Sequence, residues 1–318
     1  MKIKISTDLN TIEFWAIGDE IPRIAGTEMR QDHLLIHTFG KPALITDNAA
    51  IARLPSVQRD LVIRLLEFPQ RIIEYDNISL EWSDMKYPGV WSPSIDTALF
   101  IKALRKLFSQ PEYLNGVSSF LEIGCGSGFL SKYTIVKKLN SGKPIVTAEL
   151  MDINKDALIC AQDNIKDISR NTNVIYTLNK ANTPIKPIGA YDLIICNPPY
   201  IPRPCSDNSN PFEGLFLYGE ILDKTGELLN PEGSLIINFS SISKPDIYSE
   251  YEKKFSIEIL EKIRIPLKIP LITARLSQQS KDWMDYLIKN NKLETDESEK
   301  DGYRYWQTIE IAQCKLKR

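Results

Sequence analysis

From about residue 117 the apolar positions switch repeatedly between two periods. Short apolar runs at Ser119–Ile123, Pro144–Asp152, Asn173–Leu178, Tyr191–Cys196 and Ser234–Phe239 read as buried strands. Between them, 128–139, 155–168 and 215–229 carry the spacing of amphipathic helices, and Pro231-Glu-Gly233 reads as a turn. Strands that alternate with helices in this way predict a parallel sheet wrapped by helices. Ligands of such sheets bind at the carboxyl ends of the strands.

The flanks are less regular. Thr11–Ile17 reads as a strand and Ser56–Phe68 as a helix capped by Ser56 and stopped by Pro69. Arg71–Tyr75 and Ile78–Trp82 are expected to pair as a hairpin across Asp76-Asn77. The Tyr87-Pro-Gly-Val-Trp-Ser-Pro-Ser94 stretch is a loop, and Ser94 is expected to cap a helix with Phe100, Leu104, Leu107 and Phe108 on one face. Beyond Phe255 come one or two strands over Ser256–Ile265, then an amphipathic helix around Lys281–Ile288. A charged, solvated loop is expected over Glu294–Asp301, and a closing strand over Tyr303–Leu316 at or next to the sheet edge. The chain divides into an accessory, substrate-selecting region, 1–88, and a main domain, 89–318, with an insertion near 266–293.

Composition narrows the class. The 318 residues are 43% hydrophobic and 25% charged, enough for a sizeable core. A formal charge of -2 provides no global basic field for nucleic acid, so a nucleic-acid partner is not favoured. Five scattered cysteines without a C-x-x-C pair, and only two histidines, point to reduced thiols and away from zinc or histidine-based chemistry. No apolar run reaches membrane-spanning length, and the expected location is cytoplasmic.

Two stretches carry chemistry. In Glu122-Ile-Gly124-Cys-Gly126-Ser-Gly128, glycines join a strand to a helix, where backbone can approach a nucleotide-type ligand closely. Asp152 ends the next strand a little over twenty residues on, where a carboxylate accepts from both ribose hydroxyls. Thr97, in the first turn of its helix, sits where hydroxyl and backbone donors face outward, and capping by Asp96 and Thr97 is the plainer reading. The second stretch is Asn197-Pro198-Pro199-Tyr200 at the end of a strand. The prolines remove two donors and stiffen the backbone, leaving carbonyls and the Asn amide as acceptors beside an aromatic ring. That set fits a planar NH2 group. Accepting both hydrogens aims the nitrogen lone pair at an electrophile and offsets positive charge as the nitrogen is alkylated.

On these residues, together with Asp152-Ile-Asn-Lys-Asp-Ala-Leu158, Ala161, Asn164 and Val90-Trp-Ser-Pro-Ser-Ile-Asp96-Thr97, the chain from about 87 to 260 resembles the class I S-adenosylmethionine-dependent methyltransferases. More narrowly, it is similar to the HemK-like protein-glutamine N5-methyltransferases of peptide-chain release factors. The resemblance implies a Rossmann-like α/β sheet, mostly parallel with an antiparallel last strand, plus a smaller N-terminal α+β region. It implies S-adenosylmethionine as cofactor, no metal, and a protein substrate, with a release factor as one such partner. Glu122, Gly124, Gly126 and Gly128 would line the methionine part and Thr97 would lie near it. Asp152 would hold the ribose, and Ile153 would flank the adenine. Asn197 and the Pro198 carbonyl would grip the acceptor nitrogen, with Pro199 stiffening the loop and Tyr200 stacking on the acceptor. The chain departs from the family at Asn179-Lys180, where an acid usually meets the adenine amine; Asn179 can accept the same bond. It departs again over Arg203–Gly214. Adenine-N6 and guanine-N2 methyltransferases carry similar motifs, so a base or small-molecule amine stays open as acceptor. A non-catalytic cofactor-binding scaffold also stays open.

Overall fold

The computed structural model describes residues 2–6, 11–16, 34–38, 41–44, 70–83, 85–91, 93, 95–170, 172–180, 183–200, 215–266, 286–295 and 305–317. The expected helix at 56–68, the Ser94 cap, the Arg203–Gly214 stretch and most of the expected 281–288 helix lie outside them. Two compact units emerge: residues 1–85 with 263–309, and residues 86–262 with 310–318.

In the first unit, β1 (Lys2–Ser6), β2 (Thr11–Ala16), β3 (Leu34–Thr38), β4 (Lys41–Leu44), β5 (Gln70–Tyr75) and β6 (Ile78–Ser83) form an antiparallel sheet in the order β4-β3-β2-β1-β5-β6. The hairpin read at Asp76-Asn77 is present. Both residues take positive φ, 51° and 62°, the backbone sign a two-residue hairpin turn needs to match strand twist. The charged stretch from Glu294 is not all solvated loop. Glu294 and Thr295 pair as a short strand with Trp306 and Tyr305. Glu294 accepts from Thr308 Oγ1 at 2.5 Å and Arg264 Nε at 3.0 Å, and Arg264 stacks 4.4 Å over the Trp306 ring. The Glu294 carboxylate is thus satisfied within the fold, at the start of a segment that composition alone marks as solvated.

The second unit contains α1 (Ile95–Phe108), α2 (Pro111–Gly116), β7 (Ser119–Ile123), α3 (Phe129–Asn140), β8 (Thr147–Asp152), α4 (Lys155–Ile165), β9 (Asn173–Leu178), β10 (Tyr191–Cys196), α5 (Phe216–Leu228), β11 (Leu229–Ser240), α6 (Lys244–Lys254) and β12 (Phe255–Pro266). With β13 (Glu294–Thr295) and β14 (Tyr305–Leu316) the second sheet has eight strands, ordered β12-β14-β11-β10-β7-β8-β9 with β13 beside β14. The closing strand therefore lies next to the edge strand, as the sequence pattern indicates. The pairs β7–β8, β8–β9, β7–β10 and β10–β11 are parallel. Strand β11 begins earlier than the sequence suggests. Leu229 already pairs with Tyr191, and a register shift absorbs the Pro231–Gly233 turn before Ser234 pairs with Leu193. Helices α2 and α6 were not evident in the apolar pattern. The first is six residues long, and α6 is mostly polar, with Tyr251 its buried anchor.

Burial on both faces explains why β7 and β10 are mostly apolar, with Ser119, Glu122 and Asp192 as the polar positions. Tyr218, Phe239 and Tyr251 form an aromatic knot with centroids 5.3–6.3 Å apart, and the Tyr251 hydroxyl donates to the Tyr218 carbonyl at 2.8 Å. At the amino end of the sheet Asp192 accepts from the backbone and hydroxyls of Ser118 and Ser119, and from Asn230 Nδ2 at 2.7 Å. Burial opposes its charge, but these donors hold it below the usual aspartate range.

The chain order reverses between β7 and β10, because β8 and β9 extend one way and β11 the other. A crevice forms outside the carboxyl ends of strands at such a reversal. Register then sets what meets there: Ile123 pairs with Cys196, so the glycine turn and Asn197 leave the sheet from adjacent strand tips.

Candidate functional site

The glycine turn is held by backbone bonds. Gly124 and Cys125 donate to the Met151 carbonyl at 2.8 and 3.1 Å, and Gly128 donates to the Cys125 carbonyl at 2.8 Å. Gly124, Gly126 and Gly128 all take left-handed φ, which a side chain would strain. Their surroundings differ. A Cβ on Gly124 or Gly126 would meet nothing within 4 Å, so a ligand can lie directly on that backbone. A Cβ on Gly128 would fall 2.7 Å from Ala161 Cβ, so this glycine serves close packing of the turn on α4.

Two carboxyl groups sit beneath the turn. Asp152, 8% exposed, accepts from Gly126 N and Asn154 N, each at 2.9 Å, which ties the end of β8 to the turn. Burial raises its pKa despite those donors. A carboxylate has about four acceptor positions, so the backbone donors of Gly126, Asn154 and Ile153 leave acceptor capacity for the ribose expected at Asp152. Glu122 is buried, and its Oε2 accepts from the Ser131 backbone at 2.9 Å and from the Ser131 hydroxyl. Burial pushes its pKa up to about 8; the Ser131 bonds oppose the rise and the charge of Asp152 adds to it. Burial likewise raises the Cys125 thiol, and Cys125, Cys160, Cys196 and Cys314 are buried thiols outside any disulfide. Among the described residues no group of His, Cys, Asp or Glu is arranged to hold a metal ion, and no helix is long and apolar enough to cross a membrane.

Beside Asp152, Ile153 is half-buried, and Asn179 N donates to the Asp152 carbonyl at 2.8 Å. Among the described residues Asn179 Oδ1 accepts a long 3.4 Å bond from Thr183 Oγ1, and an amide oxygen has a second lone pair for a ligand; Lys180 is exposed. The loop before α1 is tied down by Tyr87, whose hydroxyl donates to Asp163 Oδ2 at 2.7 Å, and by Lys86, which pairs with the same oxygen at 3.0 Å. Asn154 Nδ2 also reaches the Pro88 carbonyl at 3.3 Å.

Asn197 is half-buried, Pro198 is buried, and Pro199 and Tyr200 are half-buried, with Tyr200 against the core. Asp96, read from sequence as a cap beside Thr97, does more than cap. Its Oδ1 accepts from Thr97 N at 2.9 Å, and its Oδ2 accepts from Asn197 Nδ2 at 3.1 Å. On the other side Asn238 Nδ2 donates to Asn197 Oδ1 at 2.6 Å. The structure therefore gathers Glu122, the three glycines, Asp152, Ile153 and Asn179 around the adjoining tips of β7, β8 and β9, and joins Thr97 to Asn197 through Asp96. Asp96 and Asn238 were missed as partners of Asn197. The available signal for Asn238 was a polar residue inside the apolar run Leu235–Phe239.

The sequence family described as methyltransferase small domain matches residues 85–253. Among curated relatives, release factor glutamine methyltransferases of Fusobacterium nucleatum and Caulobacter vibrioides are 30% and 26% identical over 50% and 46% of this chain and 46% and 52% of their own. The chain thus spans about half the length of these relatives. A Methanocaldococcus jannaschii protein named as a candidate protein N5-glutamine methyltransferase is 27% identical over 62% of this chain and 94% of its own. With more than half of its length matched, including the glycine turn, Asp152 and Asn197-Pro-Pro-Tyr200, this chain belongs to the methyltransferase small domain family.

Proposed function

We propose that the protein is an S-adenosylmethionine-dependent N-methyltransferase whose acceptor is an amide or amino nitrogen on a protein, a glutamine side chain above all. One observation carries the reading: Ile123 pairs with Cys196, so the glycine turn and Asn197 lie side by side at the reversal of the sheet. A cofactor seated on Gly124 and Gly126 is then next to a nitrogen held at Asn197.

S-adenosylmethionine, when bound, supplies a methyl group activated by the sulfonium charge. The chain's own residues do the rest. Gly124 and Gly126 give backbone contact, Asp152 accepts from the ribose, and Asn179 accepts from the adenine amine. Burial, and to a lesser extent the charge of Asp152, raises the affinity of Glu122 for protons, and a cationic ligand relieves that penalty, so the site favours a positively charged cofactor over a neutral one. Asn197 Oδ1 and the Pro198 carbonyl accept the two hydrogens of the acceptor NH2, hold its lone pair toward the methyl group, and offset the positive charge that develops. Tyr200 packs against the acceptor group. No side chain need act as base before transfer, since water takes the proton once the nitrogen is alkylated. The glutamine methyltransferase names of the curated relatives favour a protein acceptor, and a peptide-chain release factor is the first to test.

The test is incubation of the protein with methyl-labelled S-adenosylmethionine and a cell extract, followed by fractionation and mass mapping of the labelled residue. Label on glutamine in a release factor supports the reading. Label confined to nucleic acid overturns the choice of acceptor. Turnover unchanged in Asn197→Ala overturns the mechanism.

A further inference from the structure

We propose that Asn238 is a positioning residue which, held by Tyr218, locks the carboxamide of Asn197 in the one orientation that can receive an acceptor nitrogen. The inference rests on the reading of Asn197 given above. Asn238 lies in β11 between Ile237 and Phe239 and is wholly buried. A carboxamide in such a place is costly unless its polar atoms are matched. They are matched in sequence. The Tyr218 hydroxyl, also buried, points its one proton between the Asn238 carbonyl at 2.8 Å and Asn238 Oδ1 at 3.1 Å, so both share it as acceptors. Asn238 Nδ2 donates to Asn197 Oδ1 at 2.6 Å, and Asn197 Nδ2 donates to Asp96 Oδ2 at 3.1 Å.

The direction of these bonds is the point. A carboxylate only accepts, so the NH2 of Asn197 must face Asp96. Its oxygen then faces Asn238, which must present its own NH2, and the Tyr218 proton holds Asn238 that way round. Turning Asn197 over would set two NH2 groups against each other and its oxygen against a carboxylate. Without Asn238 only the Asp96 carboxylate opposes that turn, and a turned Asn197 offers its NH2 to the acceptor nitrogen, where donor meets donor. The bond to the Asp96 carboxylate also polarises the amide and leaves more negative charge on Oδ1, whose free lone pair is the one offered to substrate.

Asn238 lies outside the glycine turn and the β8 tip where the cofactor binds, so kcat should fall while cofactor affinity holds. The experiment uses the full chain, labelled S-adenosylmethionine and purified release factor. Cofactor Kd comes from calorimetry, and kcat and KM are measured from pH 6 to 9. In Asn238→Asp the ionised carboxyl has no proton to donate to Asn197, whereas the protonated form does. We expect kcat to drop by about tenfold or more at pH 8 and to recover as pH falls, with cofactor Kd within about twofold of the original chain. Asn238→Leu should be slow at every pH. Tyr218→Phe keeps the ring packing and should lower kcat severalfold, which tests the relay even if the Asn238 variants fold poorly. A pH profile of Asn238→Asp parallel to that of the original chain, or losses that appear in cofactor Kd and not in kcat, would overturn the proposal. Asn197→Ala separates the two ideas. If it retains turnover, the functional reading itself fails; if it is inactive while Asn238→Asp is unimpaired, only the relay fails.

Discussion

Replacing Gly128 with alanine tests the packing that shapes the cofactor turn. Gly128 has φ 76°, and left-handed backbone costs an alanine about 1–2 kcal/mol. The new methyl would lie 2.7 Å from Ala161 Cβ and 2.8 Å from Ala161 Cα. The second contact is backbone of α4 and cannot turn aside, so α3 and α4 must separate, at a cost of about 1–3 kcal/mol. Loss of glycine's freedom in the unfolded chain offsets about 0.4–1 kcal/mol. The net expectation is roughly 3 kcal/mol of destabilisation, read as a lower midpoint in urea unfolding followed by circular dichroism. Ala161→Gly removes the closest atom but not Cα, and by itself costs about 0.5–1 kcal/mol within a helix. The double variant should therefore recover part of the loss, with a coupling near 1 kcal/mol of the rescuing sign. Gly126→Ala has the same backbone strain but no clash, so its stability loss should be smaller while its loss of cofactor binding is larger. A Gly128→Ala protein within about 0.5 kcal/mol of the original, or a strictly additive double variant, would refute the reasoning.

Further outcomes follow from the site. Asp152→Ala should weaken S-adenosylmethionine binding in calorimetry and also cost about 1–3 kcal/mol of stability, because Gly126 N and Asn154 N both lose their acceptor. Glu122 has a pKa raised by burial to about 8, so the folded state holds a proton that the unfolded chain releases near pH 4.5. Its contribution is therefore fully present below about pH 4.5 and is lost as pH rises toward 8; Glu122→Gln should flatten that decline in urea midpoints between pH 5 and 8. Asn197→Ala should lower kcat by a factor corresponding to roughly 2–4 kcal/mol, with cofactor affinity nearly kept; an equal fall in affinity would place the residue on the cofactor instead.

The sequence alone determined the local vocabulary of this protein. Apolar runs marked β7, β9 and β10 with their observed bounds; β7 and β10 are mostly apolar because they are buried, whereas the half-buried edge strand β9 was marked by its β-branched and aromatic residues. The glycines marked a strand-to-helix turn, and Asn197-Pro-Pro-Tyr200 marked an acceptor-rich strand end, since both depend on neighbours along the chain. Helix α6 escaped because few of its residues are buried. Tertiary structure decided which strand tips touch. Nothing in the local pattern places β10 beside β7 rather than beyond β9, and only that order brings Asn197 to the glycine turn. It also decided what surrounds Asn197. Asp96 lies 101 residues before it and Asn238 41 residues after it, separations at which periodicity carries no information. A hydrogen bond depends on where two side chains arrive in space, and that is set by how the sheet and its helices close around a common core.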